Sequence, residues 1–155
     1  MPTRLYLLSD STLSPDLSGT AGSLGGSIND TAFGQVLQFE REVGADVEGT
    51  SFPTNIPVNG LSGTLEYRYR VQRVNSSGTV QASSAYSAVY STAGTRTDTL
   101  SLSTTWAPGD RLRISLEARR TGGHGNVSIN VAVNDSNSWL EATLAEPEPD
   151  PVSVA

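Results

Sequence analysis

Apolar and polar residues alternate along much of the chain, and this alternation predicts β-strands. An apolar side chain at every second position is typical of a strand with one buried face. The segments with this pattern are residues 35–43, 65–72, 80–90, 97–103, 111–118, 127–133 and 139–144. No segment keeps a helical spacing of apolar residues. The pattern therefore predicts an all-β protein, an antiparallel β-sandwich of jelly-roll type over residues 33–145.

Glycine, proline and asparagine fall between these segments, where turns are expected. Residues 75–78 (Asn-Ser-Ser-Gly) predict a hairpin turn, and residues 107–110 predict a Pro-Gly turn. Residues 122–126 predict a second hairpin connection. Residues 52–60 contain two prolines, so we expect an edge or crossover there and not a central strand.

The register of the alternation also predicts which side chains face the core. Burying the apolar positions of the three clearest segments places one set of residues inward. The expected inward-facing residues are Tyr67, Tyr69, Leu112, Ile114, Leu116, Val127, Ile129 and Val131.

The two ends of the chain have a different composition. Residues 1–32 contain single apolar residues in a glycine- and serine-rich background, which predicts an extended N-terminal arm that docks on a partner subunit; a flexible linker is the alternative. The arm residues predicted to bind the partner are Leu5, Leu7, Leu13, Leu17, Leu24 and Ile28. Residues 146–155 form an acidic, proline-rich tail that favours extended polyproline geometry.

Composition excludes several classes of function. The net charge of −6 disfavours sequence-independent binding of nucleic acid, which depends on neutralising phosphates. The absence of cysteine removes disulfides and thiolate chemistry. The first residues include neither a signal-peptide core nor a membrane span, so we expect no membrane partner.

All ten basic residues are arginines, and four of them lie at alternating positions of two predicted strands. Arg68 and Arg70 project from one strand, and Arg111 and Arg113 project from another. If both strands share a sheet, its outer face has a stripe of arginines. The stripe either pairs with Glu66 and Glu117 within the chain or binds acidic groups of a partner.

No set of residues predicts a catalytic or metal site. His124 lies between glycines at a predicted turn, without partners for a triad. Residues 134–138 offer oxygen ligands but lack the glycine and final glutamate of a calcium loop. Glu40 and Glu42 share a strand face, and nothing in the sequence places two carboxylates across a cleft. We therefore expect no catalytic residue, metal or cofactor, and a protein that is not an enzyme.

Four stretches resemble small structural proteins from the morphogenesis clusters of tailed bacteriophages. They are residues 1–7 with the leader that follows, 69–80, 102–112 and 123–128, together about half of the chain. The resemblance implies a virion protein and does not fix its position in the particle.

Combined with the acidic sandwich and the apolar arm, the resemblance leads us to expect a capsid cement or decoration protein. Such a protein clamps major capsid subunits from the outer capsid surface, is made in the host cytoplasm, and is a symmetric homo-oligomer such as a trimer. The alternative is a tail or fibre module that binds a host-surface glycan. In that case the sugar rings stack on a platform of aromatic side chains, for which the candidates are Trp106, Trp139, Tyr86 and Tyr90.

Overall fold

The computed structural model describes residues 1–145, and the predicted acidic tail at 146–155 lies outside the described residues. The described part folds into twelve β-strands. They are β1 (Pro2–Leu7), β2 (Leu13–Ser14), β3 (Gly22–Ile28), β4 (Gly34–Glu42), β5 (Val47–Glu48), β6 (Ser51–Ser62), β7 (Leu65–Val74), β8 (Val80–Ser83), β9 (Gly94–Ser101), β10 (Arg111–Arg120), β11 (Val127–Val133) and β12 (Trp139–Leu144).

The strands form two sheets that pack face to face. The first sheet has eight strands in the order β2-β1-β12-β6-β11-β3, with β5 paired to β12 and β9 paired to β6. The second sheet has four strands in the order β4-β10-β7-β8. The paired strands are antiparallel, which confirms the predicted all-β antiparallel sandwich.

The core lies between the two sheets, and the predicted register is confirmed. Every second residue of the central strands is buried, as in the alternating pattern of β7. The eight residues expected to point inward are at most 3% exposed. Burying such side chains is the main favourable contribution to folding, at about 25 cal/mol per Å² of apolar surface.

The first 32 residues differ from the expected arm. β1 pairs with β12, and β3 pairs with β11, so both belong to the first sheet. Leu5, Leu7 and Leu13 are at most 1% exposed in the chain's own core, and Leu24 and Ile28 are half-buried against it. Leu17 alone of the six is exposed, at 45%. Ser23, Gly25 and Ser27 occupy outward positions of β3, whereas Gly26 lies on the inward side with Leu24 and Ile28.

Residues 52–60 also differ from expectation, because they belong to the longest strand of the first sheet. β6 pairs with β9 along one side, and on the other side it pairs first with β12 and then with β11. Pro53 and Pro57 flank the short contact with β12, which involves Thr54 and Asn55. Two prolines are tolerated in this central strand because its partner changes where they lie.

Two predicted connections have different outcomes. Residues 75–78 form the hairpin between β7 and β8, and Gly78 adopts the positive φ of 86° that the turn requires. Residues 122–126 do not form a hairpin, since β10 lies in the second sheet and β11 in the first. They are a crossover between the sheets.

The predicted strand at 80–90 is regular only to Ser83.

A polar cluster links the two sheets inside the sandwich. Asp98 of β9 accepts hydrogen bonds from the hydroxyls of Tyr69 and Tyr90, the latter at 2.7 Å. Thr54 lies 2.9 Å from the Tyr69 hydroxyl. Burial, followed by the hydrogen bond to Asp98, raises the pKa of Tyr90 to about 12 and raises the pKa of Tyr69 further. Both tyrosines therefore stay neutral donors at physiological pH.

At one edge of the sandwich the backbones of the two sheets approach closely. A Cβ atom added to Gly26 of β3 would overlap the backbone carbonyl of Val36 in β4. Glycine at this position lets β3 cross β4 without a clash.

The start of the chain and the end of β12 lie side by side. The amino group of Met1 donates a 2.8 Å hydrogen bond to the carbonyl of Leu144, and the amide of Leu144 donates a 3.0 Å bond to the carbonyl of Met1. The two ends of the described chain are thus held together.

Candidate functional site

The outer face of the second sheet brings together the arginines that the sequence singled out. β7 and β10 are neighbours, with Arg68 opposite Glu117 and Arg113 opposite Gln72. Because outward residues alternate with buried ones along both strands, these arginines share one surface. We call this surface the arginine face; it consists of Arg68, Arg70, Arg111, Arg113 and Arg119 with Glu40, Glu66 and Glu117.

Four of the five arginines of this face are paired with glutamates. Arg111 and Arg113 both contact Glu40 at 2.9 Å. Arg68 contacts Glu117 at 2.9 Å, and Arg119 contacts Glu66 at 2.6 Å. The sequence left open whether these arginines pair with glutamates of the same chain or with a partner. In the structure most of them pair within the chain, which restrains their guanidinium groups.

Two aromatic rings extend the arginine face. The guanidinium of Arg68 lies between Phe33 and Tyr86, 3.9 and 3.5 Å from the ring centres. The Tyr86 hydroxyl donates a 2.9 Å hydrogen bond to Glu117. Each cation–π contact of this kind contributes about 0.5–2 kcal/mol, depending on desolvation. The stack packs two aromatic rings and one guanidinium against each other on the arginine face.

Arg70 differs from the other four arginines. Its guanidinium lies 4.3 Å from the centre of the Tyr86 ring, and it has no carboxylate partner within residues 1–145. Its Nε atom is buried and has no hydrogen-bond partner among the described residues. A buried donor without an acceptor is costly. The two Nη groups of Arg70 are not among the buried unpaired atoms, and a carboxylate from outside can pair with the guanidinium through them.

The sequence reasoning missed several members of this face. Arg119 could have been found, since it continues the period-two spacing of Arg111 and Arg113. Phe33 and Tyr86 could not have been found, because they lie outside regular strands and reach the face only through the fold.

An open depression adjoins one end of the arginine face. It has a volume of about 560 Å³, and its walls come from the β1–β2 loop and β4. Glu40 and Glu42 are both on the β4 side, and Arg111 lies beside them. The two carboxylates are thus neighbours on one strand, as the sequence indicated. The Glu40 carboxylate forms ion pairs with two arginines.

The remaining polar candidates lie elsewhere. His124 is exposed in the crossover at 122–126. In the segment 134–138, the amide of Asn137 donates a 2.8 Å hydrogen bond to the Asp135 carboxylate, which is an Asx turn. Within residues 1–145, no group of three or more histidine, aspartate or glutamate side chains is placed to hold a metal ion. The same residues contain no helix of the length and hydrophobicity that crossing a membrane requires.

Comparison with solved structures shows the fold. The chain is similar to a CocE/NonD family hydrolase from Staphylococcus aureus, with a TM-score of 0.62 and 10% identity over 94% of this chain. It is also similar to an α-amino acid ester hydrolase, with a TM-score of 0.59 and 12% identity over 92% of this chain. The chain covers only 37% and 36% of those two proteins. No family model and no curated protein matches the sequence.

These similarities correct one expectation. We predicted from the sequence that the chain is not an enzyme, whereas the folds it resembles belong to hydrolases, so that prediction is contradicted. The reason for the error is that the prediction relied on local motifs, which carry no information about the larger proteins that use this sandwich. At 10–12% identity the similarity itself shows the fold alone.

Proposed function

We propose that the chain is a structural protein of a virion, a capsid cement protein that binds major capsid subunits through its arginine face. The observation that carries the proposal is Arg70, a guanidinium that lies on the Tyr86 ring and has no carboxylate partner within residues 1–145. The resemblance to tailed-phage structural proteins supports the choice of partner.

The charge distribution favours an acidic protein surface as the partner. The arginine face has five arginines and three glutamates, and four of the arginines form ion pairs, although the whole chain has a net charge of −6. A carboxylate that reaches Arg70 forms a bidentate, charge-assisted pair on a prepared site. Hydrogen bonds to charged groups contribute about 1.5–3 kcal/mol. A homo-oligomer presents several such faces at once and binds a repeating shell more tightly.

Attachment through the first 32 residues is not part of this proposal. Leu5, Leu7 and Leu13 are buried in the chain's own core and are unavailable to a partner. Only Leu17 remains exposed among the residues first assigned to the arm.

Charge reversal at Arg70 tests the proposal. Arg70→Glu should weaken co-sedimentation with shells of the encoding phage at least tenfold, because it puts like charges across the interface. Arg41→Glu is the matched control, since it makes the same charge change at an exposed position at the end of β4. Arg41→Glu should bind like the native chain. Equal binding by all three proteins would contradict the proposal.

The similarity to hydrolases favours a second candidate function. In this alternative the chain is a β-sandwich module of a larger hydrolase, because it covers just over a third of the proteins it resembles. The test is hydrolysis of p-nitrophenyl acetate and of α-amino acid esters by purified protein, with the His124→Ala variant beside it. Turnover that the variant loses would favour this candidate over the virion role.

A further inference from the structure

The outer face of the first sheet contains a row of polar and aromatic residues that runs across five strands. The row follows the register pairs Ser14–Tyr6, Tyr6–Trp139, Trp139–Asn55 and Asn55–Thr97. Strands in a sheet are about 4.8 Å apart, so the row is roughly 19 Å long.

The row faces away from the core. The chain neighbours Leu5, Leu140 and Ile56 are fully buried, and successive side chains of a strand point to opposite faces. Tyr6, Trp139 and Asn55 are half-buried, and Thr97 is exposed. Two aromatic side chains therefore lie next to each other on an accessible, pleated surface.

The other members of the row, and the residues beside it on β9, are polar and uncharged. Thr95, Thr97 and Thr99 are exposed at alternating positions of β9. We call this surface the neutral face; it consists of Tyr6, Trp139, Asn55, Thr95, Thr97, Thr99, Ser23, Ser27, Ser128 and Asn130. The nearest charged residues on the same sheet, Arg4 and Glu141, are register partners of opposite sign, and Glu48 lies further along, opposite Thr143.

Arg4 lies on the indole of Trp139, 4.2 Å from the ring centre. Arg4 is exposed and has no ion pair within residues 1–145. Within residues 1–145 the indole contact is made without a hydrogen bond or an ion pair to the guanidinium, and such an exposed contact contributes only about 0.5–1 kcal/mol. A ligand can displace Arg4 and use the ring.

We propose that the neutral face binds a neutral oligosaccharide. A sugar ring has an apolar C–H face, which stacks on an aromatic ring, and a rim of hydroxyls, which bond to amide and hydroxyl side chains. Tyr6 and Trp139 provide the rings, and Asn55 with the threonines of β9 provides the hydrogen-bonding groups. The absence of charge from the row matches an uncharged ligand, and the net charge of −6 disfavours an anionic one.

The other aromatic residues that the sequence offered as a sugar platform are occupied. Trp106 is 8% exposed, Tyr90 is bonded to Asp98, and Tyr86 lies beneath Arg68 and Arg70. Of the four aromatic residues, Trp139 remains as a candidate for stacking on a sugar. The strand register places Tyr6 beside it as a second candidate. The inference does not depend on the capsid proposal, since it concerns the opposite sheet.

Affinity electrophoresis of the native chain tests the inference. Gels contain hydroxyethylcellulose, xyloglucan, galactomannan or glycogen as neutral probes, and alginate as an anionic probe. At least one neutral probe should retard the native chain. Trp139→Ala and Tyr6→Ala should weaken that retardation at least tenfold, whereas Tyr86→Ala, an aromatic deletion on the other sheet, should leave it unchanged.

Thr97→Glu provides a second variant that should fold, because its side chain is exposed. It puts charge and bulk into the row and should also weaken retardation at least tenfold. Thermal melting verifies that each variant is folded. A native chain that no neutral probe retards would overturn the inference, as would retardation by alginate alone or full retardation of folded Thr97→Glu.

Discussion

The two sheets of this sandwich both bury apolar side chains on their inner faces, but their outer faces differ in charge. Inside, β10 and β11 bury Ile114 and Ile129 to the same extent, at 0% exposure. Outside, the second sheet has the arginine face with its ion pairs and stacked rings, and the first sheet has the neutral face of threonine, serine and asparagine. The shared inner pattern specifies the fold, and the outer positions are free to diverge toward different partners.

The difference lies in how each outer face is held. The arginine face is cross-linked by ion pairs and cation–π contacts between side chains. On the neutral face the threonines of β9 are exposed, whereas Asn55 and Ser23 form hydrogen bonds within the chain. The side chains of the arginine face are therefore linked to one another, whereas the β9 threonines of the neutral face are exposed.

The largest expected effect tests the equivalence of the inner faces. Ile114→Ala and Ile129→Ala should each lower the free energy of unfolding by about 2–5 kcal/mol, through lost burial and the cavity left behind. Urea denaturation of both variants measures the two losses. A loss in only one sheet would show that the inner faces are not equivalent.

The next effect concerns the edge where the sheets approach. Gly26→Ala should destabilise the fold by about 1–3 kcal/mol, because the added methyl group overlaps the Val36 carbonyl. Gly22→Ala is the matched control on the same strand, since its nearest neighbour is 3.9 Å away. Denaturant midpoints that shift equally in both variants would contradict the close approach.

A third prediction separates the outer faces. Glu117→Ala should cost about 1–3 kcal/mol, because it removes the partner of both Arg68 and Tyr86 and its side chain is only 12% exposed. Thr97→Ala on the neutral face should change stability by less than about 0.5 kcal/mol. Urea unfolding checks both values, and similar costs at the two positions would remove the distinction between the faces.

The smallest effect concerns the tyrosine–aspartate cluster between the sheets. The pKa of Tyr90 is about 12 in the folded chain against an ordinary 10.0, so the unfolded chain loses its proton first. The stabilisation is complete below pH 10 and is lost as the pH rises through 12. Tyr90→Phe should show a shallower loss of stability between pH 10 and 12 than the native chain. Urea midpoints at pH 8, 10, 11 and 12 measure it.

Most of the fold could be predicted from the sequence because the central strands alternate strictly. The register of Tyr67, Ile114 and Ile129 follows from period two alone. Leu5 and Leu7 were assigned to an arm because one short apolar run among glycine and serine does not reveal its partner strand. That partner, β12, lies at the other end of the described chain, and local patterns do not encode such long-range pairing.

The candidate sites divide in the same way. Arg68, Arg70, Arg111 and Arg113 could be assigned to one face, because they alternate on two strands that proved to be neighbours. The isolation of Arg70 and the row through Tyr6, Trp139 and Asn55 could not be predicted. The row depends on which strands are adjacent, and the isolation of Arg70 depends on which carboxylates reach which arginines. Both are set by the tertiary structure and not by local sequence patterns.

The hydrogen bonds between Met1 and Leu144 have a topological consequence. Because residues 1 and 144 lie side by side, the described unit of residues 1–145 can be inserted into a loop of a host protein, and these two positions can be joined while the chain is opened elsewhere. The exposed crossover at 122–126 is a natural place for such a cut. A circular permutant opened there keeps every strand of both sheets intact and leaves the arginine face and the neutral face free to be displayed from a chosen scaffold.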